Sequence, residues 1–276
     1  MYYDYYQLRE NPFNVTADPD FFFASKCHAE AISNLVYGID HRKGILVVSG
    51  EVGTGKTTLC RKLLFEAPDN VKFALILNPK FSETQLLQMI VSDLGIVTKQ
   101  RTRFGLTQVL NEFLITETNK NNNVVLIIDE AQNLTVSQLE QIRLLSNLES
   151  EKDKMLQIIL VGQPELTDKL RLPELRQVRQ RIAVHYNLKP LDKEDINEYI
   201  HHRILVAAII DGIDSHPTFT HDAVDRIFHY TQGSPRTINI LCDRALVAGF
   251  AAEKRAIDAD IIQFCAKEVM YFEHNL

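Results

Sequence analysis

The chain has 276 residues, 45% hydrophobic and 24% charged, the balance of a soluble globular protein with room for one large domain or two modest ones. Thirty lysines and arginines against 36 aspartates and glutamates leave a formal charge of −6, which argues against binding nucleic acid through overall charge but leaves room for a local basic patch. Collagen-like, coiled-coil and disordered compositions are excluded.

The opening run Met1-Tyr2-Tyr3-Asp4-Tyr5-Tyr6 lacks the basic-then-apolar layout of a signal peptide, and its aromatic rings are expected to dock on a core. No apolar run approaches the roughly 20 residues of a membrane helix. Cys27, Cys60, Cys242 and Cys265 stand apart without metal-ligand spacing, as suits a reducing compartment. The expected location is therefore cytoplasmic, at most peripheral at the inner face of a membrane.

Short apolar runs then alternate with helix-period stretches. Strands are expected at Ile45–Ser49, Phe73–Leu77, Val124–Ile128, Gln157–Val161 and Ala183–Leu188. Helices are expected near Thr57–Phe65, Glu83–Leu94, Leu106–Glu117 and Ser137–Leu148. Continuous apolar strands separated by helices predict an α/β fold, a parallel sheet covered on both faces. From Asp192 onward only helices are expected. The first is capped by Asp192, the second starts at Thr220 and stops at Gly233, the third follows Pro235, and the fourth begins near Asp258. Lys189-Pro190-Leu191 is the natural junction. It divides a core of residues 1–188, including an N-terminal segment 1–44, from an all-α lid of residues 189–276.

Gly50-Glu51-Val52-Gly53-Thr54-Gly55-Lys56-Thr57, extended by Thr58, fully matches the phosphate-binding loop pattern. It also sits where the chemistry needs it, after an apolar strand and before a helix. Glycines let backbone N–H groups wrap phosphates at a helix N-terminus, Lys56 supplies a cation to the β and γ phosphates, and the Thr57 hydroxyl suits Mg2+. About 70 residues later, Val124–Ile128 runs into Asp129 and Glu130. Asp129 at a strand tip suits the Mg2+ shell, and Glu130 suits a general base for an attacking water. The pair points to hydrolysis of ATP rather than mere nucleotide holding.

Together these motifs resemble those of AAA+ ATPases, and closely those of the ExeA/GspA-type ATPases of general (type II) secretion systems, with related ATPases of exosortase and pilus loci. The resemblance spans nearly the whole chain. It includes Asn11-Pro12-Phe13, Asp18-Pro19, Phe22, His28, the phosphate loop, Asp129-Glu130-Ala131-Gln132-Asn133-Leu134 and Leu144-Leu145-Ser146-Asn147-Leu148-Glu149. It continues through Val161-Gly162-Gln163-Pro164-Glu165-Leu166 to Leu241-Cys242-Asp243-Arg244-Ala245-Leu246.

The resemblance implies further roles. Gln163 corresponds to a polar first sensor orienting the attacking water. Within Gln177-Val178-Arg179-Gln180-Arg181-Ile182, Arg181 is favoured as an arginine finger reaching a neighbouring subunit's nucleotide, followed by Arg179 and then Arg176. Arg236 in Gly233-Ser234-Pro235-Arg236 corresponds to a second sensor in the same subunit. Asn11, Phe13 and His28 lie where such chains build the adenine pocket, although Phe13 and Phe22 would serve equally as parts of a packing strap.

The implied activity is ATP hydrolysis with Mg2+, driving assembly or energisation of secretion machinery from the cytoplasmic side. The implied partners are further copies of the chain, as a dimer or ring, and an inner-membrane secretion protein. In that family a membrane helix and a peptidoglycan-binding domain often follow the ATPase region; these 276 residues include neither.

A DNA-dependent AAA+ regulator of transposition is the alternative. The −6 charge opposes it, and the Lys99, Arg101 and Arg103 cluster slightly favours it, although such runs are commonly solvated loops. His201, His202, His216 and His221 lack zinc-like partners and read as surface or packing residues.

Overall fold

The computed structural model describes residues 2–149, 154–209 and 216–273, with side chains up to residue 268. In chain order the helices are α1 (Tyr2–Tyr6), α2 (Lys26–Asp40), α3 (Lys56–Phe65), α4 (Glu83–Asp93), α5 (Arg103–Asn119), α6 (Val136–Leu145), α7 (Pro164–Leu170), α8 (Arg176–Arg179), α9 (Lys193–Ala207), α10 (His221–Thr231), α11 (Pro235–Ala251) and α12 (Ala259–Glu273). The strands are β1 (Ile45–Gly50), β2 (Val71–Ile76), β3 (Asn123–Ile128), β4 (Gln157–Gly162), β5 (Ile182–Leu188), β6 (Thr218–Phe219) and β7 (Ala256–Ile257). Two compact units result. One comprises Ala29–Glu51 and Leu59–Leu188; the other comprises Met1–His28, Val52–Thr58 and Lys189–Leu276.

The first unit is the α/β part. Its sheet has the order β2-β3-β4-β1-β5, and every neighbouring pair is parallel. Every residue of β1, β3 and β4 is buried, because helices cover both faces of the central strands. The edge strand β5 instead alternates half-buried and exposed positions up to Leu188. All five expected strands are present. The second begins at Val71 rather than Phe73 and ends before Leu77, which is 46% exposed.

The parallel register brings Ser49 opposite Gly162, so β1 and β4 end at one level, where loops bearing the candidate residues begin. Helix starts are fixed locally. Ser82 with Gln85, and Thr135 with Gln138, form reciprocal capping boxes on α4 and α6.

The second unit has its own core, built by Ile196, Ile200, Ile204, Ile227, Ile238 and Leu241 among others. Asp192 accepts from Asp195 N at 2.9 Å and starts α9, and Thr220 accepts from Ala223 N at 3.2 Å and starts α10. The N-terminal tyrosines belong to this core. Tyr6 is wholly buried, and its hydroxyl donates to the carbonyls of Leu246 (3.2 Å) and Lys254 (3.0 Å).

Helices α1, α2, α7 and α8 and strands β6 and β7 lie outside the sequence expectation. Helix α2 falls within the segment read only as N-terminal, and β6 pairs with β7 as a two-residue parallel ribbon inside the helical region. Among the described residues no helix is long and apolar enough to cross a membrane.

Candidate functional site

The phosphate-binding pattern forms the turn from β1 into α3. Gly53 (φ 80°) and Gly55 (φ 90°) take left-handed conformations that L side chains resist, and Lys56 opens the helix. Thr54 is wholly buried and Lys56 nearly so. The loop packs on the start of α11. Arg236 N donates to Gly53 O at 3.2 Å, and a Cβ on Gly53 would lie 2.7 Å from Ser234 Oγ and 2.8 Å from Arg236 Cβ. Arg236 is thus placed against the loop.

His28 braces the same loop from the N-terminal segment. Its Nε2 lies 2.9 Å from the Thr54 carbonyl, and its Nδ1 lies 2.7 Å from Ser25 Oγ. A carbonyl only accepts, so Nε2 carries the proton and Nδ1 accepts from the serine hydroxyl. Burial pushes the His28 pKa down and favours this neutral form.

Beside the loop is a cavity lined by Phe21, Phe22, Phe23, His28, Thr58 and Pro235, with apolar walls suited to a flat aromatic base. Of the three residues expected to line a base pocket, only His28 lies there. Phe13 is buried in the helical core with its ring 6.1 Å from Phe219. Asn11 donates to Asp243 at 2.9 Å and accepts from Phe13 N at 2.7 Å, which ties the strap down.

A residue that sequence reasoning passed over organises this strap. Buried Arg203 donates to the carbonyls of Pro12 and Asn14 and stacks 4.7 Å over the Phe21 ring. Its signal was an arginine one turn after Tyr199, within the apolar stripe of α9.

In the α/β unit, β3 delivers the acidic pair. Asp129 is buried, donates its backbone N–H to Ile76 O at 2.8 Å, and accepts from Glu130 N at 2.8 Å. Glu130 takes a left-handed conformation (φ 52°, ψ 35°) and starts a 3-10 turn over Ala131–Asn133. Its Oε2 accepts from Gln132 Nε2 at 2.5 Å and from Gln163 Nε2 at 3.3 Å. Gln163 stands where β4 meets α7, so its side chain reaches Glu130. Glu130 and Gln163 are brought together; Gln132 joins them and was not singled out in the sequence.

The three finger candidates separate by what they touch. Arg179 donates to the carbonyls of Leu170 and Arg171, both at 3.1 Å, and so closes the end of α7. Arg181 is 44% exposed and lies 3.7 Å from Glu149, and Arg176 is exposed on α8. In the basic cluster, Arg103 pairs with Glu83 at 2.8 Å, while Arg101 bonds the Gln100 carbonyl at 3.0 Å.

Residues 39–170 match the family model described as AAA domain. General secretion pathway protein A of Aeromonas hydrophila is 38% identical over 270 residues, covering 98% of this chain and 48% of that protein. The chain therefore spans about half the length of the curated relative it matches.

Solved structures share the fold at low identity. The Aeropyrum pernix ORC2 protein in its ADPNP-ADP complexes superposes with a TM-score of 0.69 at 17% identity, covering 94% of this chain and 71% of that one. Drosophila ORC bound to DNA gives 0.67 at 17%, covering 95% and 66%. The Thermotoga maritima RuvB Holliday junction branch migration motor gives 0.53 at 17%, covering 92% and 72%.

Proposed function

We propose that this chain, which matches an AAA-domain model over residues 39–170 and resembles general secretion pathway protein A, binds ATP with Mg2+ and hydrolyses it to ADP and phosphate. We further propose that it works from the cytoplasmic side of the inner membrane, assembling or energising secretion or envelope machinery through an inner-membrane partner. Its working parts are an ATPase core of residues 1–188 and a helical lid of residues 189–276.

The residues present fit that chemistry. The loop Gly50–Thr58 offers backbone N–H groups and the Lys56 cation to phosphate oxygens, and the Phe21–Phe23 cavity beside it suits a base. Thr57 and Asp129 supply the hard oxygens that Mg2+ prefers. Held by these oxygens, Mg2+ would neutralise phosphate charge. Glu130 takes the proton from the attacking water, with Gln163 orienting the reactants. Arg236 of the same chain and Arg181 of a neighbouring copy stabilise charge on the γ phosphate.

The observation that carries hydrolysis is the Glu130 carboxylate held by two side-chain amides next to a buried Asp129 at the end of a central strand. Glu130→Gln should retain MgATP binding and lower kcat by about a hundredfold or more. A variant that hydrolyses at the wild-type rate would remove Glu130 as the base.

A DNA-dependent regulator has less support. Arg103 and Arg101 are engaged within the chain, and the likeness to DNA-bound ORC is one of fold. ATPase stimulation by duplex DNA, falling steeply with salt, would favour that reading instead.

A further inference from the structure

The geometry points to Gln132 as a positioning residue for hydrolysis, orienting the Glu130 carboxylate and coupling it to the start of α7. This rests on the proposal that Glu130 is the general base.

Both ends of the Gln132 amide are assigned by chemistry. Gln163 N can only donate, and it reaches Gln132 Oε1 at 3.1 Å; the other end of the amide is therefore the donor, and it reaches Glu130 Oε2 at 2.5 Å. A side chain whose acceptor holds a backbone N–H and whose donor holds a carboxylate has no rotamer freedom left to lose. Gln163 thus acts on Glu130 twice, directly through its own amide at 3.3 Å and through Gln132.

Three further features maintain this arrangement. Glu130 sits in the left-handed region, a conformation that costs about 1 kcal/mol or more and directs the chain into the 3-10 turn carrying Gln132. Lys169 of α7 donates to the carbonyls of Gln132 and Leu134 and fixes the backbone of that turn. Gly162 leaves the space: a Cβ there would lie 2.8 Å from Gln132 Oε1. Both amides bond the same oxygen, Oε2, so proton acceptance falls to Oε1. The turn, the strand end and α7 converge on one carboxylate.

Gln132→Glu places an acceptor against Oε2 and removes the donor; Gln132→Met keeps the length and removes both polar ends. The test measures kcat, KM for ATP, affinity for a fluorescent ATP analogue and thermal melting, with wild type and Glu130→Gln alongside. Both variants should lose about tenfold to a hundredfold in kcat, because a misplaced catalytic group costs that much, while KM, affinity and melting stay near wild type.

Wild-type kcat in both variants would overturn the role of Gln132. So would a loss of kcat matched by an equal loss of nucleotide affinity or melting temperature, which marks a merely structural residue. If instead Glu130→Gln hydrolyses as wild type does, the general-base reading fails, and the inference with it.

Discussion

His28 links the N-terminal strap to the phosphate-binding loop through one hydrogen bond, from Nε2 to the Thr54 carbonyl at 2.9 Å. Fixing that carbonyl fixes the peptide plane that follows it, whose N–H belongs to Gly55. His28→Ala should therefore weaken MgATP binding about threefold to tenfold, the equivalent of one ordinary hydrogen bond, with kcat little changed. His28→Gln, which can still present an Nε2 donor, should recover part of the affinity. Equilibrium titration with a fluorescent ATP analogue checks both.

The same residue gives a pH dependence. Burial lowers the folded-state pKa below the ordinary histidine value of about 6.5. The unfolded chain then binds the proton more readily, so this contribution to stability is present above about pH 6.5 and is lost as pH falls through the folded-state value. Urea midpoints should drop between neutral and mildly acidic pH, and His28→Gln should drop less. Equal drops would remove His28 as a source.

The phosphate loop and the Asp129–Glu130 pair were legible in the sequence because their chemistry is contiguous. Gln132 was harder to see, since its role depends on Gln163, 31 positions away, and on the turn that a left-handed Glu130 creates. Phe13, read either as part of a base pocket or as part of a packing strap, is drawn into the helical core, while Phe21–Phe23 line the cavity beside the loop.

Among the elements, the turn between α10 and α11 has the least tolerance. Gln232 (φ 47°) and Gly233 (φ 77°) are both left-handed, and Gly233 O accepts from Leu191 N at 2.9 Å. A Cβ on Gly233 would stand 1.9 Å from the Leu191 carbonyl oxygen, which is backbone and cannot rotate away. Gly233→Ala should destabilise the protein by about 2 kcal/mol or more, read as a lowered denaturation midpoint. A midpoint equal to wild type would show that the turn can open.

The central strands could be read from sequence because burial on both faces leaves continuous apolar runs, and the helices of the second unit because they carry ordinary caps. Helix α2 carries a faint signal: Ala31, Leu35 and Ile39 recur at four-residue steps after Ser25, whose hydroxyl lies 3.4 Å from His28 N as a cap would. The β6–β7 ribbon had none, since two residues per strand leave no periodicity to detect.

For the whole molecule, each of the two compact units has its own apolar core, and the phosphate loop residues Val52–Thr58 group with the helical unit. Packing on α11 places Arg236 beside the loop in the same chain. Arg181, by contrast, lies half exposed after a short helical turn, where it pairs with Glu149 at 3.7 Å. An exposed pair of that kind contributes little stability, so turning the guanidinium toward a second copy of the chain costs little.

If a neighbour's Arg181 completes the site, catalysis depends on self-association and Arg181→Ala behaves as a dilute subunit does. The decisive measurement is phosphate release per subunit from saturating MgATP over a wide range of protein concentration, with Glu130→Gln as the baseline. Wild type should exceed that baseline and rise with concentration to a plateau, while Arg181→Ala stays low throughout. Release that never exceeds the Glu130→Gln baseline would contradict ATP hydrolysis by this chain, and release independent of concentration would remove the neighbour's arginine.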